Sequence, residues 1–505
     1  MTELPERSRS LPVAGPAGSA DRSEVPGPRG WRRRAAQPVS GASLAVVRVA
    51  LGVVAAASAV RTLTYGWADS LYSRPSHRFT YLGLDWVPQP GPAGIRVLLG
   101  CVFLAGIGLI VGRAHRWFAA LLLVSFGWVE AIDATTYLNH YWFVTLMAAL
   151  AVVAPLSSKE PVAAVWVWLV RFQVAVVYSF AGLAKLQPDW LIHALPLRMW
   201  LPARADLPVV GPLMELPATA HLFAVAGALY DCLVVAGLLW RRSRPFAWAA
   251  VVAFHVSTWI LFPIGVFPWL MIAVSTVFWE PDWPARFRDR LILLGHRFGI
   301  APNSPPPSTP AVAARSGATA LELLRRHDVT SRSRSTGLNR SSATSPTSRP
   351  KGTDAVPVSR WAFGLAVTWA AIQVALPLRH LAYPGDHRWT AEGYRFGWNV
   401  LLVERSGSVA FEVYEPSTGH RWTADAEALY TPNQVRVMNG EPDLIQQAAR
   451  EIRSAEAEKG HRVEVHVDAW MSFNGRPAQR WIDPTVDLAA QPRNLWPKPW
   501  ILPRP

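Results

Sequence analysis

Nine stretches of the chain are apolar over most of their length and long enough to be read as membrane-crossing helices. They run from about Leu44 to Leu63, Ile95 to Val111, Trp117 to Ala134, Tyr141 to Pro155, Ala163 to Ala184, Thr219 to Trp240, Pro245 to Phe262, Ile264 to Phe278 and Trp361 to Leu378. Several fall short of the roughly 20 residues that span a bilayer unaided, and those require tilt, Trp anchors or local thinning. The eighth also admits a re-entrant reading. After the ninth the pattern changes. Ala410 to Tyr414 (AFEVY) and Arg462 to Ala469 (RVEVHVDA) alternate as strands do, with a Pro-Ser-Thr-Gly turn at 416–419. Thr431 to Arg453 opens on a Thr-Pro helix start and reads helical, with a break at Gly440. The predicted fold is membrane α-helical: about nine helices in a transmembrane bundle, followed by an extracytoplasmic mixed α/β, β-rich C-terminal domain.

Between these elements lie segments of another composition. Residues 1–40 are rich in Pro, Gly, Ser and Arg, without the apolar h-region of a signal peptide, and are predicted to be a disordered basic arm. Residues 301–357 are Pro-, Ser-, Thr- and Arg-rich, which predicts a disordered cytoplasmic linker. A short amphipathic patch in it, Leu321 to Arg326, reads as a membrane-surface contact or as a transient helix in solvent. The division is then an arm at 1–40, a transmembrane domain at 41–300, the linker at 301–357, a last transmembrane helix at 358–380 and the outer domain at 381–505.

Composition sharpens the membrane reading. Hydrophobic residues make up 51% and charged ones 17%, and there are 25 Trp, a residue favoured at bilayer interfaces. The net charge of +15 raises nucleic-acid binding, but the basic residues fall in the arm, the linker and alternate short loops. Arg32, Arg33 and Arg34 precede span one. Arg113 and Arg116 follow span two, Lys159 span four, Arg241, Arg242 and Arg244 span six, and Arg286, Arg288, Arg290 and Arg297 span eight. This satisfies the positive-inside rule with a cytoplasmic N-terminus and an outer C-terminus; Arg74 and Arg78 after span one are the exception. The partners so indicated are the lipid bilayer and its anionic surface, not nucleic acid. Cys101 and Cys232 lie inside apolar runs and read as small buried hydrophobes.

Ionisable residues inside spans are costly, by roughly 2.5–3.5 kcal/mol on insertion scales, and are functional candidates by default. Several stand in or at the ends of the spans: Glu130 and Asp133 near the end of span three, His140 just before span four, Lys185 closing span five, Asp231 in span six and His255 in span seven. Asp133, Asn139, His140 and Lys185 share the outer boundary, where a polar cluster walled by Trp and Phe suits an apolar cofactor that must be deprotonated. Burial lowers a lysine pKa and yields a neutral amine able to act as a base. Bland readings stand beside this one. Lys185 snorkels to the headgroups, Asn139 and His140 cap span four, Asp231 and His255 form a structural polar pair, and Glu130 and Asp133 bind nearby Arg or Trp N–H groups. No metal site is read, because the His residues lack ligand spacing with carboxylates or Cys.

Several stretches resemble the vitamin K-dependent γ-carboxylase family and its bacterial relatives, whose transmembrane part is of the HTTM type. TYLNHYWF (Thr136 to Phe143) is similar to the family's Asn-Asn-His segment. YSFAGLAKLQPDWL (Tyr178 to Leu191) is similar to its tyrosine–alanine–glycine, lysine, leucine and Asp-Trp stretch. The likeness continues from Tyr230 through RRSRPFAWAAVVAFH to Ile272, in LPLRHLAYPGDHRWTAEGYRFGWNVLL (Leu376 to Leu402) and in PDLIQQAA from Pro442. It covers most of the chain apart from the arm and the linker.

The resemblance implies an integral membrane enzyme, a carbon–carbon lyase and monooxygenase-type epoxidase. It would couple O2-dependent epoxidation of reduced vitamin K (phylloquinol or menaquinol) to addition of CO2 to a peptide glutamate. By the same resemblance Lys185 is the catalytic base and His140 the residue that orients or stabilises the quinone oxygens, with Asn139, Tyr141 and His255 as cofactor-binding residues. The departures are Ala184-Lys185 where the family has paired lysines, Gln187 where it has an aspartate, and no counterpart of its glycosylated, disulfide-bearing extensions. Two other readings follow: quinone oxidation without carboxylation, and a non-enzymatic transporter or assembly factor. A bacterial plasma membrane is the expected location.

Overall fold

The computed structural model describes residues 28–157, 161–298 and 359–504. Each apolar run is helical: α2 (Ala42–Thr64), α3 (Pro92–Val111), α4 (His115–Ile132), α5 (Asn139–Val153), α6 (Ala164–Lys185), α7 (Pro217–Leu239), α8 (Arg244–Leu261), α9 (Phe267–Ser275) and α11 (Arg360–Leu378). Among the described residues, five helices are long and apolar enough to cross a membrane: α2, α3, α6, α7 and the stretch from Arg360 to Ala382. The eighth run is the most altered. Gly265 takes φ +64° and Pro268 opens the helix, leaving nine α-helical residues and a 3-10 turn, Thr276–Phe278. Between the bundle and the linker, α10 (Trp283–Arg297) carries the last basic cluster, with Arg286 paired to Asp282.

Part of the arm expected to lack structure is folded. Residues 28–40 form a helix, α1 (Pro28–Ala35), and a strand, β1 (Pro38–Ser40), which pairs antiparallel with β2 (Pro161–Ala163) through Val39↔Val162. The pairing ties the starts of α2 and α6 together at one end of the bundle. Residues 1–27, the whole of the predicted linker with its amphipathic patch, and Lys159 lie outside the described residues. Cys232, read as buried, is exposed on the outer surface of the bundle, and Cys101 is partly buried.

Three arginines close the helix ends on the β1–β2 side. A helix leaves its last carbonyls unpaired and partly negative, so a cation there satisfies both lacks. Arg48 Nε donates to Leu156 O at 3.0 Å, and its Nη1 donates to Leu109 O and Ile110 O at the end of α3. Arg171 Nε donates to Val277 O at 2.8 Å, and Arg244 Nε to Leu238 O at 2.9 Å. α11 is the outlying helix, held to α6 by a polar clamp. The fully buried Gln173 accepts from Trp369 Nε1 at 2.9 Å and donates to Gln373 Oε1 at 3.3 Å.

The C-terminal domain is a four-stranded antiparallel sheet with helices on one face. Its strands β3 (Arg405–Glu415), β4 (His420–Ala424), β5 (Glu464–Phe473) and β6 (Gln479–Arg480) run in the order β4-β3-β5-β6. Alternation puts Val465, Val467, Ala469, Met471 and Phe473 on the covered face of β5. The Thr431 region splits as its Gly440 suggests, into α12 (Pro432–Met438), opened by a Thr431–Gln434 capping box, and α13 (Pro442–Glu458). α13 lays Leu444, Ile445, Ala448, Ala449 and Ile452, one helical stripe, on that face. Phe79 and Ala134, from loops of the bundle, belong to the same core, so the domain sits on the bundle end opposite the arginine caps. Arg78, the exception to the charge rule, is consumed in this loop, donating to Val87 O and to Asp85 O.

Candidate functional site

Beneath the C-terminal domain the bundle holds a partly open cavity of about 520 Å³. One face of each of three helices builds it: Tyr178, Ala181 and Lys185 of α6; Phe223, Gly227, Tyr230 and Asp231 of α7; Ala250, Phe254, Ser257 and Leu261 of α8. These spacings of three, four and seven residues are those of a single helical stripe. Asn139 and His140 close one end, and Trp398, Val400 and Leu401 of the outer domain roof it. The lining is overwhelmingly apolar, with small residues (Ala226, Ala250, Ala253) beside the aromatics.

Lys185 is 5% exposed and Asp231 3%, and Lys185 Nζ donates to Asp231 Oδ2 at 2.8 Å. The residue that permits this is Gly182. A Cβ there would lie 2.9 Å from the backbone nitrogen of Cys232, so only glycine lets α6 and α7 approach this closely. Lys185 Nζ also donates to Ala181 O at 3.4 Å and stands 5.2 Å from the centre of the Trp190 ring, whose own N–H is fixed on Ala224 O. The amine thus faces a carboxylate that the sequence reading had not placed beside it. Asp231 and His255 do not pair with each other. His255 Nε2 is 2.8 Å from Tyr178 Oη, and the Tyr230 ring stacks on Phe254 at 4.1 Å. Tyr230 Oη is buried beside the Tyr178 hydroxyl.

His140 lies between Tyr141 and Phe267, at 4.8 and 5.3 Å between ring centres. Asn139 does not cap α5, whose N-cap is Leu138 with no side-chain bond. Its Nδ2 donates to Asn399 O at 3.2 Å and its Oδ1 accepts from Tyr137 Oη at 2.9 Å, tying the site to the roof. That roof is built on unusual backbone, with Phe396, Trp398 and Leu401 at positive φ, and buries Trp398 to 1% exposure.

Four of the five residues singled out from the sequence, Lys185, His140, Asn139 and His255, thus line one cavity. Tyr141 does not; it faces the other side of α5, toward Phe126 at 5.6 Å. Asp133 also leaves the predicted cluster. It accepts from Thr135 N at 2.8 Å and from Gln434 Nε2 of the outer domain at 2.8 Å, and Glu130 accepts from Thr145 Oγ1. Neither binds the Arg or Trp group expected for it. Sequence reading missed Tyr178 and Tyr230 as site residues, although Tyr178 stands seven residues before Lys185, on the same helical face.

Two family models match the chain: that of the HTTM domain over residues 36–283, and that of the vitamin K-dependent gamma-carboxylase lumenal domain over residues 358–505. The first coincides with the bundle and the second with α11 and the outer domain. The chain belongs to the vitamin K-dependent γ-carboxylase family. It is therefore a γ-carboxylase-like membrane protein with an extracytoplasmic C-terminal region, and the family carries enzymatic activity and a vitamin K-type cofactor. No solved structure matches it.

Proposed function

We propose that this protein is an enzyme that deprotonates a reduced quinone in the Lys185 cavity and couples its oxidation by O2 to carboxylation of peptide glutamate. The observation that carries this reading is a buried lysine–carboxylate pair at 2.8 Å in the wall of an apolar, ligand-sized chamber of about 520 Å³. The chamber fits the group. Tyr230 Oη and the His140 ring offer polar contacts to a quinol head, and Ala226, Ala250 and Ala253 leave a smooth channel for a hydrocarbon tail. A bound reduced vitamin K would supply, with O2, the strong base needed to remove a γ-proton from glutamate.

The chain's own work is proton handling. In a site of low dielectric the pair Lys185–Asp231 loses little by moving one proton from Nζ to Oδ2, since that removes two buried charges at once. The uncharged Nζ then accepts a proton from a hydroxyl placed in the cavity, and Asp231 keeps the proton it received. Lys185 is the base that touches substrate, and Asp231 is the proton's destination. His140 and Tyr230 orient the oxygens, the Tyr178–His255 bond fixes the wall, and Trp398 excludes water from above. On this reading the bundle crosses the membrane nine times, with the N-terminus cytoplasmic.

The test is purified protein in detergent with reduced vitamin K, O2, labelled bicarbonate and a glutamate peptide, beside Lys185→Ala. Epoxide and fixed label, both lost in the variant, are the expected result. Epoxide without label indicates a quinone oxidase. No product from folded protein, with menaquinol tried as well, removes the enzymatic reading in favour of a transporter or assembly factor.

A further inference from the structure

Two residues singled out from the sequence, Glu130 and Tyr141, stand outside the Lys185 cavity, yet both connect to it. Glu130 lies in α4, with one oxygen accepting from Thr145 Oγ1 of α5. Together with Ser58, Thr62, Tyr72 and Tyr141 it lines a cavity of about 20 Å³. A second cavity, of about 10 Å³, shares Ser58, Phe126 and Tyr141 with the first and is also lined by His140 and Phe267. Those last two residues line the main cavity as well. About 10–15 Å³ holds one water, so each small cavity is of single-water size. The order of polar groups is thus the Glu130 carboxylate, the Tyr141 hydroxyl, the His140 imidazole and the substrate chamber.

We propose that Glu130 is a positioning and proton-holding residue of this site, the far end of a relay that runs from His140 through Tyr141. The inference rests on the reading above, in which His140 faces a ligand hydroxyl. In the step, the O–H bond of a ligand hydroxyl breaks as an N–H bond forms on the free ring nitrogen of His140, and the N–H bond on its other nitrogen breaks as an O–H bond forms on the water beside it. The proton passes to Tyr141 Oη as Tyr141 releases its own toward the second water, and an O–H bond forms on Glu130, which changes from carboxylate to carboxylic acid. Nothing is oxidised or reduced, and the reverse transfer resets the relay. The charged and titratable groups around it are Tyr72, Tyr81 and Tyr137, Asp133 after α4, and Arg61 of α2. Arg61 acts on His140 and Tyr141, so a proton leaving them for Glu130 moves away from a cation. An acid inside a membrane helix, bonded to one threonine, is costly, and such residues mark functional sites.

Infrared difference spectroscopy during an acid titration of the full chain in nanodiscs, without quinone, tests the connection. The carboxyl band lost in Glu130→Gln identifies the group. Its midpoint is expected to move by about half a pH unit or more in Tyr141→Phe and in His140→Ala, as coupled sites do. A midpoint unmoved by both substitutions overturns the relay, whatever the protein does with quinols. In the turnover arm, Glu130→Gln is expected to slow quinol oxidation about a hundredfold, at the low end for a lost proton-transfer group, with KM unchanged and Glu130→Asp recovering part of the rate. A moved midpoint beside wild-type turnover in Glu130→Gln also overturns it, because the carboxyl is then connected but unused.

Discussion

Asp231 and Asp189 are each held by cations across packed surfaces, and they do different work. Asp231 faces a single lysine inside the bundle, where neither charge reaches water. Removing one partner of such a pair leaves the other charged and buried, at about 3–5 kcal/mol, whereas replacing both by apolar groups of similar size is often neutral or better. Lys185→Met and Asp231→Leu are each expected to lower the thermal midpoint, and the double variant to recover it. A double variant no more stable than either single would mean that the pair is solvated. For activity, Asp231→Asn should reduce turnover by about 10²–10⁴, the range for a lost proton-transfer group, and adding Lys185→Ala should cost little more, because the two act as one unit. Additive losses in the double-variant kinetics would separate the two roles.

At the scale of elements, the helices of the bundle were legible because an apolar run in lipid has few alternatives to the helix. Their ends were less so. α9 shrank because Gly265 and Pro268 delay its start, a backbone effect that a hydropathy pattern does not register. Lys185 and His140 were found as intramembrane polar residues, but their partners were not. The pairing of Lys185 with Asp231 depends on the register of α6 on α7, which Gly182 sets by close approach to Cys232. Likewise nothing local says on which side of α5 Tyr141 points. The clamp on α11 is a further contact of this kind. Gln173→Leu leaves Trp369 Nε1 and Gln373 without their partner. A loss of about 1 kcal/mol is expected, since interhelical bonds in membranes are modest, and it should appear as faster hydrogen exchange in α11. Unchanged exchange there would show that apolar packing alone holds the helix.

At the scale of the whole molecule, the site exists only where the outer domain is seated on the bundle. Asp189, in the one-turn helix Pro188–Leu191 after α6, is an anchor: Arg476 Nη1 lies 3.1 Å away, Asn474 Nδ2 3.0 Å and Arg504 Nη2 3.2 Å. Burial raises the Asp189 pKa, but Arg476, Asn474 and Arg504 outweigh it and hold the carboxyl below the ordinary aspartate range. A depressed folded-state pKa means stabilisation that is fully present above the ordinary value and is lost as pH falls through the folded one. Docking should therefore be insensitive to pH from neutrality down to about 4 and weaken below it. Asp189→Asn should weaken docking at neutral pH and remove much of the acid step, read as protease sensitivity of the roof around Trp398. An unchanged acid step would place the sensitivity elsewhere.

The central claim is that Lys185 deprotonates a reduced quinone in the chamber under this domain. The most direct measurement is epoxide formation from reduced vitamin K, with labelled CO2 and a glutamate peptide present, in wild type and Lys185→Ala protein matched for folding. The account predicts epoxide and fixed label in the wild type and neither in the variant. Equal epoxide formation by both proteins would contradict it.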